Sequence, residues 1–193
     1  MPTVIYEDKK LAFFWHHKCA STTFHNLFGR AWIKEEGLLG QGKPANKPNQ
    51  KIPLKLSAIK NKFPDYFTFT FVRNPFYRTR SHWAYAKYQR KPRNIAFVSF
   101  EDFVLNHGAG ISWLEPMSYY IDVDPDFVGK IEQMKKDIEK LCELKNITLP
   151  SHIPHKNRSH EKPKYTKEMR DVIVDFYKED FERFGYRKYI QTI

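Results

Sequence analysis

The chain has 193 residues, of which 41% are hydrophobic and 16% aromatic, so its composition is that of a globular protein and excludes a disordered one. Lys and Arg outnumber Asp and Glu by 33 to 22, and the resulting net charge of +11 indicates an anionic partner: nucleic acid, a membrane surface, or a phosphorylated or sulfated ligand. Two cysteines, Cys19 and Cys142, are too few for a disulfide framework.

The first residues, MPTVIYEDKK, lack the basic and apolar regions of a signal peptide. No run of about 18 apolar residues occurs, so no membrane span is predicted. Together with the low cysteine content, these features predict a cytoplasmic protein without a membrane partner. The length predicts a single domain over residues 1–193.

The first predicted elements are a strand and a helix. Residues 10–16, KLAFFWH, are short, apolar and aromatic, which is typical of a buried strand. Apolar residues then recur with helical spacing from Phe24 until Gly37, which predicts a helix. Residues 37–53 are rich in Gly, Pro, Asn and Lys and predict a surface loop.

A second strand and helix pair follows. A short helix is predicted over 54–62, and DYFTFTFV at 65–72 alternates aromatic with β-branched residues, which predicts a strand. Pro75 suits the first turn of the next helix. Another helix is predicted over 99–106.

The last third of the chain adds a strand over 126–132, an amphipathic helix over 133–144, a basic loop over 149–164 and a final helix over 166–182. Strands that alternate with helices predict an α/β fold. We therefore expect a single three-layer domain with a mainly parallel central sheet flanked by helices.

The first group of residues with chemical potential is KCASTT at 18–23, between the first strand and its helix. Free N–H groups and the helix dipole favour an anion at such a turn, small residues let the backbone approach it, and Lys18 adds a positive charge. The phosphate loop GxxxxGK[ST] is absent, because Lys18 precedes the small residues. The alternative is that Ser21 or Thr22 merely caps the helix and Lys18 is a solvated surface charge.

The second group is RNPFYRTRS at 73–81, where the second strand passes into a helix. Arg73 at the strand end and Ser81 two turns into the helix suit a phosphate, which arginine grips bidentately. In open α/β sheets, ligands bind beyond the carboxyl ends of the strands, where both groups are predicted. The alternative is an ordinary ion pair for Arg73 and a packing role for Ser81.

These motifs resemble those of sulfotransferases that use 3′-phosphoadenosine 5′-phosphosulfate (PAPS), above all the Golgi-type carbohydrate enzymes and their bacterial relatives. The similar stretches are HKCASTT (17–23), RNPFYRTRS (73–81), DFVGKIEQMKKDIEKLCE (126–143), and IPHKNRS (153–159) followed by Tyr165 and DFYKEDFERFGY (175–186). They occur in order over most of the chain. The resemblance implies a P-loop-NTPase-like sulfotransferase fold.

The resemblance also implies binding roles. In the third stretch we expect Phe127, Val128 and Ile131 to build the core. Arg73 and Ser81 would bind the 3′-phosphate, and Lys156 and Arg158 would close over the nucleotide; the alternative for these last two is a solvated basic loop. The residues implied for the 5′-phosphosulfate are Lys18, Cys19, Ala20, Ser21, Thr22 and Thr23.

The implied activity is transfer of the sulfuryl group from PAPS to an acceptor hydroxyl of a glycan or small molecule, leaving adenosine 3′,5′-bisphosphate. No metal is required, and Lys18 would stabilise charge on the leaving phosphate. His17 is a candidate general base, with Glu101 and His107 as alternatives. The rival interpretations are a basic nucleic-acid-binding module and an ATP-dependent phosphotransferase; the preferred one involves no nucleic acid.

Overall fold

The computed structural model forms two compact units. The first unit comprises Met1–Val72 and Tyr119–Pro154, and the second comprises Arg73–Ser118 and His155–Ile193. The structure describes residues 3–21, 23–24, 55–88, 99–107, 114–148, 153 and 162–189. The predicted loop 37–53 and most of the loop 149–164 lie outside these residues, and the single domain stays a prediction.

The first unit contains a four-stranded sheet in the order β1-β2-β3-β4. Its strands are β1 (Thr3–Tyr6), β2 (Leu11–Phe14), β3 (Phe67–Val72) and β4 (Phe127–Lys130). β1 is antiparallel to β2, whereas β2 with β3 and β3 with β4 are parallel. The prediction of a mixed α/β fold with a mostly parallel sheet flanked by helices is confirmed; its three-layer, P-loop-like detail stays a prediction.

Helices account for most of the remaining described residues. The helices are α1 (Leu56–Lys62), α2 (Pro75–Tyr88), α3 (Phe100–Asp102), α4 (Met117–Tyr120), α5 (Met134–Leu144), α6 (Lys167–Phe176) and α7 (Lys178–Arg183). A π-helical turn, Phe103–His107, extends α3, and 3-10 turns occupy Glu7–Lys9 and Ile131–Gln133. Within the described ranges, none of these helices combines the length and apolarity needed to cross a membrane.

Both faces of the central strands are buried. On one face Phe13 and Phe69 stack with centroids 4.9 Å apart, and Ile138 of α5 packs in the same core cluster. On the other face Thr70 is fully buried and donates a hydrogen bond of 2.6 Å to the carbonyl of Phe14. Burial on both faces is what parallel strands require, and each buried large side chain contributes about 1.5–3 kcal/mol.

A close approach of β3 to β4 requires glycine at position 129. Gly129 is paired with Phe71 across the two strands. A Cβ atom at Gly129 would lie only 2.3 Å from Cε1 of the Phe71 ring. Any larger side chain would therefore displace the ring from the core.

The second unit has a core of its own. It includes Phe76 and Trp83 from α2, Phe103 from the π-helical turn, and Ile173 and Phe181 from α6 and α7. Thr166 caps α6 by accepting a hydrogen bond of 3.2 Å from the N–H of Met169. This cap places the start of α6 close to the predicted residue 166.

The structure corrects several details of the predicted elements. β1 and α4 were not predicted, and the single helix predicted over 166–182 is divided at Tyr177, whose backbone angles leave the helical range (φ −104°, ψ 24°). Val128 was expected in the core but is 38% exposed, whereas Phe127 and Ile131 pack against the core cluster as predicted. Val128 lies on β4, which pairs on one side only among the described strands.

Candidate functional site

The first candidate turn follows β2 in the first unit. His16 is fully buried, with its ring 5.2 Å from that of Phe14 and 6.1 Å from that of Tyr120. Cys19 is also fully buried, and its N–H donates to the carbonyl of His16 at 3.2 Å. His17 is exposed and Lys18 half-buried. The buried side chains of His16 and Cys19 thus anchor the turn, and the two residues between them, His17 and Lys18, are more accessible.

The backbone of this turn is unusual. Lys18 and Ala20 have φ angles of 64° and 57°, in the left-handed region, although neither is glycine. Each such residue costs on the order of 1–3 kcal/mol and persists only where surrounding structure enforces it. Left-handed residues that alternate with right-handed ones turn successive N–H groups toward one point and form an anion-binding concavity.

A helical turn begins directly after these two left-handed residues. The carbonyl of Ala20 accepts hydrogen bonds from the N–H groups of Thr23 (2.9 Å) and Phe24 (3.2 Å), so Ala20 occupies the N-cap position. Alanine has no side-chain oxygen with which to cap the first N–H groups. Ser21 is the first helical residue and not the cap, which contradicts the alternative that it serves only as a cap.

The predicted ligands of the first turn differ in accessibility. Lys18, Ala20 and Ser21 are half-buried, whereas Thr23 is buried. Thr22 lies outside the described residues. The groups that the described part of this turn can offer to an anion are therefore the N–H groups of Ala20 and Ser21, the Ser21 hydroxyl and the Lys18 ammonium.

The second candidate turn follows β3, and Arg73 and α2 belong to the second unit. Asn74 caps α2, because its side-chain oxygen accepts a hydrogen bond of 3.0 Å from the N–H of Phe76 and its carbonyl accepts one of 2.9 Å from Arg78. Pro75 is the first helical residue, as predicted. The sequence Arg-Asn-Pro is thus a helix start, with the half-buried Arg73 just before the cap.

The predicted phosphate ligand Ser81 lies on a half-buried stripe of α2. Tyr77, Arg80 and Ser81 are spaced i, i+3 and i+4, which places them on one side of the helix. By contrast, His82 and Trp83 are buried. The half-buried stripe is therefore the side of α2 that offers polar groups to a ligand.

Arg78, the second arginine of the motif, has a structural role. It is fully buried, its Nη2 donates to the carbonyl of Glu115 at 3.0 Å, and its guanidinium lies 5.6 Å from the ring centroid of Tyr177. Its positive charge also acts on the carboxylate of Asp180. The residue spacing in α2 did not distinguish Arg78, which is buried, from Arg80, which is half-buried.

Two further buried groups hold the segment that Arg78 contacts. Asp180 accepts hydrogen bonds from the N–H groups of Met117 (2.9 Å) and Ser118 (2.7 Å), and burial raises the pKa of its carboxyl group against the effect of Arg78. The hydroxyl of Tyr177 donates to the carbonyl of Leu114 at 2.7 Å, and burial raises the pKa of Tyr177 to about 12. Side chains distant in sequence thereby fix residues 114–118.

Tyr165 joins the start of α2 to the residues before α6. Its hydroxyl donates a hydrogen bond to the carbonyl of Phe76, and its ring contacts that of Phe100 edge-on, with the ring centroids 5.1 Å apart. Burial raises the pKa of Tyr165, while the positive charges of Arg80 and Arg73 partly offset that rise. Sequence reasoning found Tyr165 only through the resemblance and gave it no role.

Several predicted site residues cannot be placed. Lys156 and Arg158 lie outside the described residues, as does the side chain of His107. Glu101 is exposed on α3. Among the residues that the structure does describe, no group of three or more His, Cys, Asp or Glu side chains could hold a metal ion.

Comparison with known proteins gives one match that spans nearly the whole chain. The model of the sulfotransferase family matches residues 1–187, which include both candidate turns. No curated protein and no solved structure matches the chain at a significant level.

Proposed function

Since this chain belongs to the sulfotransferase family, we propose that it transfers the sulfuryl group of PAPS to a hydroxyl group of a carbohydrate. The observation that carries the proposal is the left-handed backbone at Lys18 and Ala20, in a turn between a parallel strand and a helix. A strained, glycine-free turn of this kind is typical of a functional anion site.

The donor carries two anionic groups, and each turn, taken by itself, has residues that suit one of them. Within residues 18–23, the N–H groups of Ala20 and Ser21 suit the 5′-phosphosulfate, because those of Cys19 and Thr23 already donate to backbone carbonyls and the N-cap residue Ala20 provides no side-chain acceptor to compete with the anion. Arg73 and Ser81 suit the 3′-phosphate, with the guanidinium as bidentate donor and the hydroxyl as a further one. Lys156 and Arg158 remain proposed ligands of the same nucleotide.

The donor, PAPS, supplies an activated sulfuryl group. The bond between its sulfur and the bridging phosphate oxygen breaks as the acceptor oxygen bonds to sulfur. Lys18 is half-buried at the centre of the turn, and its ammonium would stabilise negative charge on the leaving phosphate. The N–H groups beside it would act on the same charge without having to reorganise. In this scheme catalysis rests on positioning and electrostatics.

His17 is the proposed acceptor of the proton from the attacking hydroxyl. It is exposed, adjoins Lys18 and packs its ring edge-on against Trp15 at 5.6 Å. An imidazole has a pKa near neutrality, which suits a general base. His16, by contrast, is fully buried and belongs to the anchor of the turn.

Exposed aromatic rings suit a carbohydrate acceptor. Tyr85 on α2 is 47% exposed and Tyr119 on α4 is 46% exposed. The ammonium of Lys55 lies 4.9 Å from the ring centroid of Tyr119. A sugar ring can stack on such phenols while the net positive charge of the chain favours an acidic glycan.

The decisive experiment offers labelled PAPS, with a chelator present, to a panel of acidic and neutral glycans and small alcohols. We expect label to pass to a glycan hydroxyl and adenosine 3′,5′-bisphosphate to be released. Parallel titrations with adenosine 3′,5′-bisphosphate and with single-stranded DNA serve as the control. Tight, salt-sensitive DNA binding without nucleotide binding or transfer would overturn the proposal.

A further inference from the structure

Arg80 occupies an unusual position on the half-buried stripe of α2. Its guanidinium carbon lies 5.3 Å from the ring centroid of Tyr77, one helical turn earlier, and 5.8 Å from that of Tyr165. Two phenol rings therefore contact one guanidinium group. Such cation–π contacts hold the guanidinium beside the rings, and the N–H groups that do not face the rings can bind a ligand.

No carboxylate neutralises this arginine within the part of the chain that the structure describes. Among the described residues, no ion pair and no hydrogen bond involves the Arg80 side chain. Half-buried arginines ordinarily pair with an acidic group, because the desolvated charge is otherwise costly. A guanidinium that is held in place by aromatic rings and has no acidic partner indicates that a bound ligand supplies the anion.

The surroundings of Arg80 place this charge beside the second candidate turn. Tyr165, whose ring contacts Arg80, donates a hydrogen bond from its hydroxyl to the carbonyl of Phe76, three residues after Arg73. Ser81 is the next residue on the same stripe of α2. The positive charges of Arg80 and Arg73 both act on the Tyr165 hydroxyl. All of these residues belong to the second unit.

We propose that Arg80 is a second guanidinium ligand of the nucleotide's 3′-phosphate and makes the site select a phosphate monoester over a free 3′-hydroxyl. This inference rests on the proposed function. A phosphate monoester carries about −1.5 to −2 charges near neutral pH, so two arginines match it better than one. Tyr77 and Tyr165 are positioning residues that hold the Arg80 plane.

The test measures binding of adenosine 3′,5′-bisphosphate and of adenosine 5′-monophosphate by calorimetry to the full chain and to Arg80→Gln. We expect Arg80→Gln to weaken bisphosphate binding about 10- to 100-fold, the value for a lost charge-assisted contact. Binding of the monophosphate, which lacks the 3′-phosphate, should change less than about twofold. Arg80→Lys keeps the positive charge but lacks the planar guanidinium, so its affinity for the bisphosphate should lie between those of the unchanged chain and Arg80→Gln.

Arg187→Gln is the matched control, because Arg187 also lies over a tyrosine ring, that of Tyr189 at 5.7 Å, but is exposed. It should bind both nucleotides as the unchanged chain does. If the unchanged chain binds neither nucleotide, the proposed function itself is wrong. If it binds the bisphosphate tightly and Arg80→Gln binds it equally well, or loses both nucleotides alike, only the role of Arg80 is wrong. Should Arg80→Gln not fold, the same comparison with Arg80→Lys decides.

Discussion

The two strand–helix turns start their helices in different ways. In the first turn the backbone is strained at Lys18 and Ala20, and the N-cap residue carries no polar side chain. In the second, Asn74 caps the helix with its side chain and Pro75 begins it without strain. The N–H groups of Ala20 and Ser21 in the first turn are therefore not capped by a side chain. In the second turn Asn74 satisfies the N–H of Phe76 and Pro75 has none, so we expect this turn to bind a ligand through side chains.

The largest effect expected from this difference is on turnover. Lys18→Ala should lower kcat about 100- to 1000-fold, because the ammonium at the first turn acts on charge that develops only during transfer. Arg73→Ala, at the second turn, should instead weaken nucleotide binding and raise KM. Steady-state kinetics with a varied donor separate the two effects, and thermal melting checks that both variants fold. A Lys18→Ala enzyme with unchanged kcat would contradict the assignment of Lys18.

A smaller effect is expected on stability at the second turn. Asn74→Ala should lower the free energy of unfolding by about 1 kcal/mol, because the N–H of Phe76 loses its side-chain acceptor. Asn74→Asp keeps the acceptor and should remain close to the unchanged chain. Ser21→Ala is the counterpart at the first turn and should be nearly neutral, since Ser21 lies inside the helical turn. Urea denaturation measures all three, and equal losses at Asn74 and Ser21 would remove the distinction between the turns.

The smallest expected effect is on the free energy of unfolding, and its sign differs between two Ala→Gly substitutions. Ala20→Gly should raise the free energy of unfolding by about 0.5–1 kcal/mol, because glycine adopts a φ of 57° without the cost that alanine carries. Ala58→Gly, the same change within α1, should lower it by about 0.5–1 kcal/mol. Thermal or urea denaturation of the two variants is the measurement. A loss at both positions would show that the left-handed backbone at Ala20 is not strained.

The local pattern predicted most of the regular elements. Alternation of aromatic and β-branched residues predicted β3, and the Pro75 signal predicted the start of α2. β1 was missed because TVIY is only four residues long and is stabilised by its antiparallel pairing with β2. The division at Tyr177 was missed because helical spacing continues through it, while its buried hydroxyl is held by the distant carbonyl of Leu114.

The sequence by itself determined the family, most of the strands and helices in their order, and the positions of the two polar turns. These depend on residue type and short-range spacing, which are properties of the chain. Only the tertiary structure decided that Arg78 turns inward to Glu115 and Tyr177, that the guanidinium of Arg80 contacts two tyrosine rings, and that Lys18 and Ala20 adopt left-handed angles. Those outcomes depend on burial and on partners many residues away, which no local pattern encodes.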